Sequence, residues 1–334
     1  MHRMTSASFR VLADVLTDGG ANVEALLKAF DSSSEKVFAN PKGVRLELVY
    51  NVMAEAVKRT GNPDIGLLAY HRAHPANLEV FGYAVMSSAT LGTALQRLVD
   101  YHSLISNDLY MCLDHEPRAL KMIGFDISIQ PSQTPRPFID AGAAQTLGLV
   151  HWLLPKHKPL PLEATFTYPK PADTTRLERL LGSNLLFGAS YNSLTFSLDD
   201  CSIALPTADP ALDVLHVEYA RTRLNLLLNG SMTARVRRVL SERLAQGVPS
   251  DLNRIAQAVG VSARSLQRHL SNEDVHFSAL QDEARLMLAH NFLRNSVRSV
   301  KYIGALLGFR DQSSFHKACI RWFGMTPGRY REES

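Results

Sequence analysis

Through its first hundred residues the chain repeats apolar positions at helical spacing. Phe9, Val11, Leu12, Val15 and Leu16 make one stripe, and Val23, Leu26, Leu27 and Phe30 make a second behind Asn22, a cap-forming residue. The spacing predicts a longer helix over 43–59 with Val44, Leu48, Val52 and Val57 inward, stopped by Gly61-Asn62-Pro63. Helical character continues from Ile65 to Ile105, where small residues gather between Phe81 and Gly92. Such a stretch lets backbones approach closely, either for tight helix packing, which is the favoured reading, or around a ligand.

The period then changes. Leu109 to Leu113 and Leu120 to Ile129 read as strands around a hairpin loop at 114–118, with Met122, Phe125, Ile127 and Ile129 giving a partial period of two. Pro131, Pro135 and Pro137 punctuate a link to a helix from Phe138 to Leu154, which carries Trp152. A strand at Ala164–Tyr168, a helix at Thr174–Leu181 and a strand at Leu194–Leu198 complete an α+β unit with a small mixed sheet. Pro206 and Pro210 bracket Asp209, which can cap a helix from Ala211 to Asn229 with Leu212, Leu215, Tyr219, Leu226 and Leu227 on its apolar side. That helix can pack on its own domain, pair with a second subunit or carry a signal to the C-terminus.

The last hundred residues are all helical in pattern and repeat one grammar twice. Thr233 can cap a helix with Val236, Val239, Leu240 and Leu244 inward and Arg235, Arg237 and Arg238 outward. Asp251 caps a short helix that stops at Gly260, and Ser262 caps the next. Leu266 and Leu270 occupy the core line of that helix, which turns Arg264, Gln267 and Arg268 outward. A long helix, about Ser278 to Arg294, follows; at 1.5 Å per residue it is about 25 Å long. The second round starts at Ser299, points Ile303 and Leu306 inward and turns at Gly308. Asp311 caps its second helix, Phe315 is the buried anchor, and Gln312, Ser313, His316 and Lys317 face away. Two helix-turn-helix units in tandem are predicted, spaced so that two readers could enter successive major grooves about 34 Å apart.

Charge sharpens this picture. From Thr233 to Ser334 there are 16 Lys and Arg against 9 Asp and Glu, whereas residues 1–232 hold 20 against 23. Only one end of the chain is built to meet a polyanion. Arg matches guanine bidentately and Gln matches adenine, so Arg264, Gln267, Arg268, Gln312, Ser313, His316 and Lys317 are the candidate base readers. Arg237, Arg298 and Arg310 are the candidate phosphate contacts.

The remaining composition excludes alternatives. At 334 residues, 46% hydrophobic and 20% charged, the chain suits two or three ordinary globular domains. No apolar run approaches the ~20 residues of a membrane span, and the N-terminus lacks the apolar core of a secretory signal, so a cytoplasmic protein without membrane partners is expected. Cys112, Cys201 and Cys319 are odd in number and far apart, which offers neither a disulfide framework nor a CxxC metal site. His71 and His74 stand three apart without a third ligand, so no metal and no cofactor are expected. The absence of a Gly-x-Ser-x-Gly elbow or a phosphate-cradling loop argues against an enzyme.

The pattern Ile303-Gly304, Gly308-Phe309, Ser314-Phe315 and Gly324-Met325-Thr326-Pro327-Gly328-Arg329-Tyr330-Arg331 resembles the AraC/XylS family of bacterial transcription regulators, across about residues 233–331. Upstream, Gly82-Tyr83-Ala84, the stretch Ser87 to Gly92, Phe187-Gly188-Ala189 and Leu205 to Pro210 look like the arabinose-binding-type domain of one branch of that family. The resemblance implies an effector-sensing and dimerisation domain over 1–210, a connecting helix and linker over 211–232, and a double helix-turn-helix DNA-binding domain over 233–334. It also implies a homodimer on double-stranded DNA, whose small-molecule effector shifts the population able to bind DNA or engage RNA polymerase. An effector-independent regulator, with an N-terminal domain that only dimerises or binds a protein, is the alternative. Departures fall mainly in the second unit: Gly304 replaces the usual Ala, Lys317 the usual Arg, and Cys319-Ile320 a Phe-Lys pair. In the first unit Asp274 stands where Gly is frequent. Gly304 and Cys319 are expected to loosen the second unit's packing.

Overall fold

The structure, a computed structural model, describes residues 2–106, 109–126, 134–189 and 191–332. The chain divides into two compact units, His2–Leu224 and Asn225–Ser334.

The first unit opens with strand β1 (Arg3–Met4), which pairs antiparallel with β2 (Val44–Arg45) around helices α1 (Ser6–Asp18), α2 (Val23–Lys28) and α3 (Ser34–Phe38). Asn22 caps α2 as its side chain predicts, its Oδ1 accepting the Ala25 N–H at 2.9 Å. Helix α4 (Leu46–Thr60) begins later than the expected start at 43, because Val44 is spent in β2. Its buried line is consequently Leu46, Val49, Val52, Met53 and Ala56, with Leu48 and Val57 at its margin. A run of 3-10 helix, Ile65–Arg72, leads by a second, Pro75–Leu78, into α5 (Glu79–Met86) and α6 (Leu91–Tyr101). The small residues here serve packing: a Cβ on Gly82 would lie 1.9 Å from the Pro75 carbonyl oxygen, so only glycine permits this approach. His74 is used locally, its Nδ1 accepting the Ala76 N–H at 3.1 Å while its ring stands edge-on to Trp152.

Strand β3 (Leu109–Glu116) is longer than expected, β4 (Ala119–Asp126) starts one residue earlier than expected, and the two meet in a tight turn at Pro117-Arg118. The expected continuation of β4 through Ile127 and Ile129, and Pro131 after it, lie outside the described residues. Helix α7 (Arg136–Leu153), β5 (Glu163–Phe166), α8 (Thr175–Leu181), β6 (Leu185–Phe187), β7 (Asn192–Ser197) and α9 (Leu198–Cys201) follow. The sheet order is β3-β4-β7-β5-β6, antiparallel except for β5 with β6, so it is mixed as expected. Period-two alternation sends Leu120, Met122, Ala164, Phe166, Leu194 and Phe196 into the helical core. The opposite face carries Lys121, Glu163, Thr165, Ser193 and Thr195.

Helix α10 (Pro210–Asn229) is capped by Asp209, which accepts the N–H groups of Ala211 and Leu212 at 2.9 and 3.0 Å. The side that joins the first unit's core is Val217, Ala220 and Leu224. Leu212, Leu215, Tyr219, Leu226 and Leu227, the expected apolar side, are exposed.

The second unit is helical throughout: α11 (Met232–Ala245), α12 (Leu252–Ala258), α13 (Ala263–Asn272), α14 (Phe277–Asn295), α15 (Val300–Leu306), α16 (Gln312–Phe323) and α17 (Pro327–Glu332). Ser231, not Thr233, caps α11 by accepting the Ala234 N–H at 3.1 Å, and the Thr233 side chain is buried instead. Helix α14 is apolar on two sides, because Leu280 and Ala284 join the core of α11–α13 while Leu286, Ala289 and Leu293 are buried elsewhere along it. Among the described residues no helix is long and apolar enough to cross a membrane.

Candidate nucleic-acid interface

The two helix-turn-helix units are built by matching bonds. In the first, the Gly260 N–H donates to Gln257 at 3.1 Å and the Val261 N–H to Ala256 at 2.9 Å. In the second, the Gly308 N–H donates to Ala305 at 3.0 Å and the Phe309 N–H to Gly304 at 3.0 Å. Gly260 and Gly308 take φ of +78° and +74°, a left-handed turn that only glycine enters without strain. The units then differ by one residue. Ser262 caps α13 two positions after Gly260, whereas Asp311 caps α16 three positions after Gly308, with Arg310 in the extra place.

Beyond the caps the correspondence resumes. Leu266 and Leu270 anchor α13 as Phe315 and Cys319 anchor α16, and all four are buried. Arg264, Gln267 and Arg268 stand on the outer face of α13, exposed and without a partner among the described residues. Ser313, His316 and Lys317 occupy the equivalent places on α16. Gln312, Ser313 and Lys317 are exposed, while His316 is half-buried with its Nε2 3.5 Å from Gln312 Nε2. Asp311 accepts the Ser314 N–H at 2.7 Å and its hydroxyl at 3.0 Å, and these bonds hold its carboxyl below the usual carboxylate range.

The three expected phosphate contacts fare differently. Arg310 is exposed in the turn. Arg298 is also exposed, its guanidinium 4.9 Å from the Phe292 ring centre and 5.7 Å from that of Tyr302. Arg237 is occupied within the fold: its Nε lies 2.9 Å from Glu283 Oε1, fastening α11 to α14.

Two further arginines serve the fold. Arg235 on α11 donates to the carbonyl oxygen of Val259 at 2.8 Å, and Arg285 on α14 donates to that of Leu307 at 2.9 Å and of Gly308 at 3.2 Å. Val259 and Leu307 are equivalent positions, the last turns of α12 and α15. Each first helix of a unit therefore has its free carbonyl groups satisfied by an arginine from the preceding long helix. Nothing in the sequence separates these arginines from their exposed neighbours except that each precedes a unit on a long helix.

At Gly304 and Cys319 the second helix-turn-helix is filled, contrary to expectation. A Cβ on Gly304 would lie 3.1–3.2 Å from three atoms of Phe315, so the ring occupies the space that alanine's methyl would need. Cys319 is fully buried, and burial pushes its thiol up to about 12. Asp274 takes φ of +56°, which accounts for glycine being frequent there.

A basic helical unit with two capped, anchored helices, the first of which presents unpaired Arg and Gln side chains, defines a DNA-binding transcription regulator. The family models agree. Residues 20–204 match the model of the arabinose-binding domain of AraC transcription regulators, and residues 255–333 match a helix-turn-helix domain. The chain belongs to the AraC family of transcription regulators. It is 28% identical over 325 residues to an ornithine utilization regulator of Pseudomonas aeruginosa, covering 96% of this chain and 94% of that one. It is 27% identical over 277 residues to an uncharacterized HTH-type transcriptional regulator of Mycobacterium tuberculosis, covering 80% and 78%. The crystal structure of the transcriptional regulator CdpR from Pseudomonas aeruginosa aligns with 93% of this chain and 96% of its own at 20% identity, with a TM-score of 0.43.

Proposed function

We propose that Arg264, Gln267 and Arg268 read base edges from α13 and that Gln312, Ser313, His316 and Lys317 do so from α16, with Arg298 and Arg310 on phosphates. The reading is carried by one observation: the side chains suited to base edges on α13 are exposed and unpaired, while Arg235, Arg237 and Arg285 are spent inside the fold. Arg237 is a strut in this scheme rather than a phosphate contact. Residues 1–210 sense a small-molecule effector, 211–232 connect, and 233–334 bind DNA. The exposed face of Leu212, Leu215 and Tyr219, at a spacing suited to a two-helix seam, supports a homodimer, and the protein acts in the cytoplasm. RNA polymerase is the partner through which the bound effector acts on transcription. One relative's name makes L-ornithine the first compound to test.

The test is a pair of variants in binding titrations against specific and random duplexes over a salt series. Arg268→Ala loses about 1–3 kcal/mol on specific DNA and relaxes one base position, whereas Arg310→Ala weakens all sequences alike and lowers the salt slope by about 1. Equal losses of both variants on both duplexes overturn the assignment.

A further inference from the structure

The sheet face turned away from the first unit's helical core carries the buried Ile123 and Phe125 beside polar side chains, and one polar row across it is unusual. Lys121 on β4 stands directly opposite Thr195 on β7, and Thr195 stands opposite Glu163 on β5. The Lys121 ammonium lies 3.5 Å from Glu163 and 3.1 Å from Glu116, so two carboxylates surround one ammonium and leave a net negative charge. Lys121 itself is mostly buried, its side chain 14% exposed, while Glu116 opens to solvent at 41%.

Two hydroxyls, one in that row and one beside it, are left unused by the fold. Ser193 and Thr195 are 6% and 4% exposed, and neither Ser193 Oγ nor Thr195 Oγ1 has a hydrogen-bond partner among the described residues. Thr165, opposite Ser193, adds a third buried hydroxyl, 3.5 Å from Glu163. A buried hydroxyl without a partner is costly, and a sheet that places two of them side by side beside excess carboxylate is built for something that donates hydrogen bonds and carries positive charge.

On the reading that the first unit senses an effector, we infer that this face is its site and that the ligand is a small aliphatic molecule with a protonated primary amine. The ammonium donates to Glu163 and to the hydroxyls of Ser193 and Thr195, entering past Glu116. The amine of Lys121 shows that the carboxylate pair accommodates this group. A sugar would supply neutral hydroxyls and leave the excess carboxylate uncompensated, and a dicarboxylate would be repelled. A diamine and an amino acid with an amino side chain share the recognised chemistry.

Thermal melting of the full chain tests this with 1,4-diaminobutane and L-ornithine as amine probes and with 1,4-butanediol, succinate and L-arabinose as controls. Either amine at saturation is expected to raise the midpoint by about 5 °C or more, and the controls to leave it unmoved. A response to one amine alone identifies the source as diamine or amino acid. Ser193→Ala and Thr195→Val remove only hydroxyls. Each should hold or raise the midpoint of the unliganded protein and raise the half-saturating amine concentration at least about tenfold. Failure of both amines overturns the inference, as does an amine response that survives in these variants. If L-arabinose or succinate shifts the midpoint and DNA affinity while the amines do not, this site falls and effector control stands. If an amine binds here without changing DNA affinity, the site stands and effector control falls.

Discussion

Arg285 reaches from the middle of α14 to the carbonyl oxygen of Leu307 at 2.9 Å, closing the end of α15 with a side chain from outside the helix-turn-helix. Its guanidinium also lies 4.9 Å from the Phe309 ring centre, and burial lowers its pKa from the ordinary arginine value. The residue thus fixes the turn that aims α16. Arg285→Met keeps much of the packing but leaves the carbonyl groups of Leu307 and Gly308 without their donor, at a cost of about 2–3 kcal/mol in urea unfolding. Arg285→Lys recovers only part, since one ammonium cannot reproduce a planar fork. Both variants should fold at low temperature and bind DNA more weakly. Unchanged unfolding would show that the bonds contribute nothing.

Gly304 gives a prediction of opposite character to its sequence reading. Replacing glycine with alanine inside a helix normally gains about 1 kcal/mol. Here the new methyl meets Phe315 at 3.1–3.2 Å, including its Cβ, which cannot swing aside without moving α16. Overpacking of this kind costs about 1–3 kcal/mol, so Gly304→Ala should lose about 1 kcal/mol net. A gain in stability would mean that α16 slides freely on α15.

The difference between those two cases shows what was legible. Cap residues and anchors follow from chemistry confined to a few positions, which is why Asp251, Ser262, Asp311, Leu266 and Phe315 take the places their sequence predicts. Arg235, Arg237 and Arg285 were not separable from Arg264 and Arg268 by sequence, because whether an arginine serves the fold or the ligand depends on which carbonyl or carboxylate the tertiary structure brings to it. The same holds for α10. Its leucines mark an apolar side without saying what it meets, and it is Arg97 and Ser87 that bring the face of Asp213 and His216 to the first unit. Short β1, β2 and β6 carry too few residues to show a period, and β2 consumed the expected first turn of α4.

Asp140 makes the first unit's stability depend on pH. It is fully buried on α7 and accepts hydrogen bonds from the Tyr168 hydroxyl and from Arg136 Nε, the latter at 3.0 Å. Burial pushes its pKa up to about 6 from 3.8 despite these donors. The folded state then binds more protons than the unfolded state between pH 3.8 and 6, so the penalty is fully present above pH 6 and is relieved as pH falls. The penalty amounts to roughly 3 kcal/mol. His151 opposes this, because burial lowers its pKa below 6.5 and its unfolded form gains the proton first. Comparison with Asp140→Asn isolates the carboxyl. In a Trp322→Phe background Trp152 is the sole tryptophan and reports the first unit. Wild type should gain stability relative to Asp140→Asn on going from pH 7.5 to 5, and parallel curves would refute the assignment.

Arg97 on α6 and Asp213 on α10 form the bond that fastens the connecting helix to the first unit. Arg97 Nη2 donates to Asp213 Oδ2 at 2.7 Å, and Nη1 donates to Asp213 Oδ1, to the Ala84 carbonyl oxygen at 2.6 Å and to Ser88 Oγ at 2.8 Å. His216 Nδ1 lies 3.1 Å from Ser87 Oγ one turn further along. Because both charged groups are largely buried, removing one leaves the other uncompensated and costs about 3 kcal/mol or more. Arg97→Met should therefore speed amide exchange across 213–220 far more than in α7, since the helix itself keeps its internal bonds but loses its attachment. Asp213→Asn should do the same to a smaller degree. The double variant should lose less than the sum of the two, with a coupling of about 1–3 kcal/mol. Strict additivity, or exchange that accelerates equally throughout the first unit, would show that the pair supports global folding and does not act as the fastening of α10.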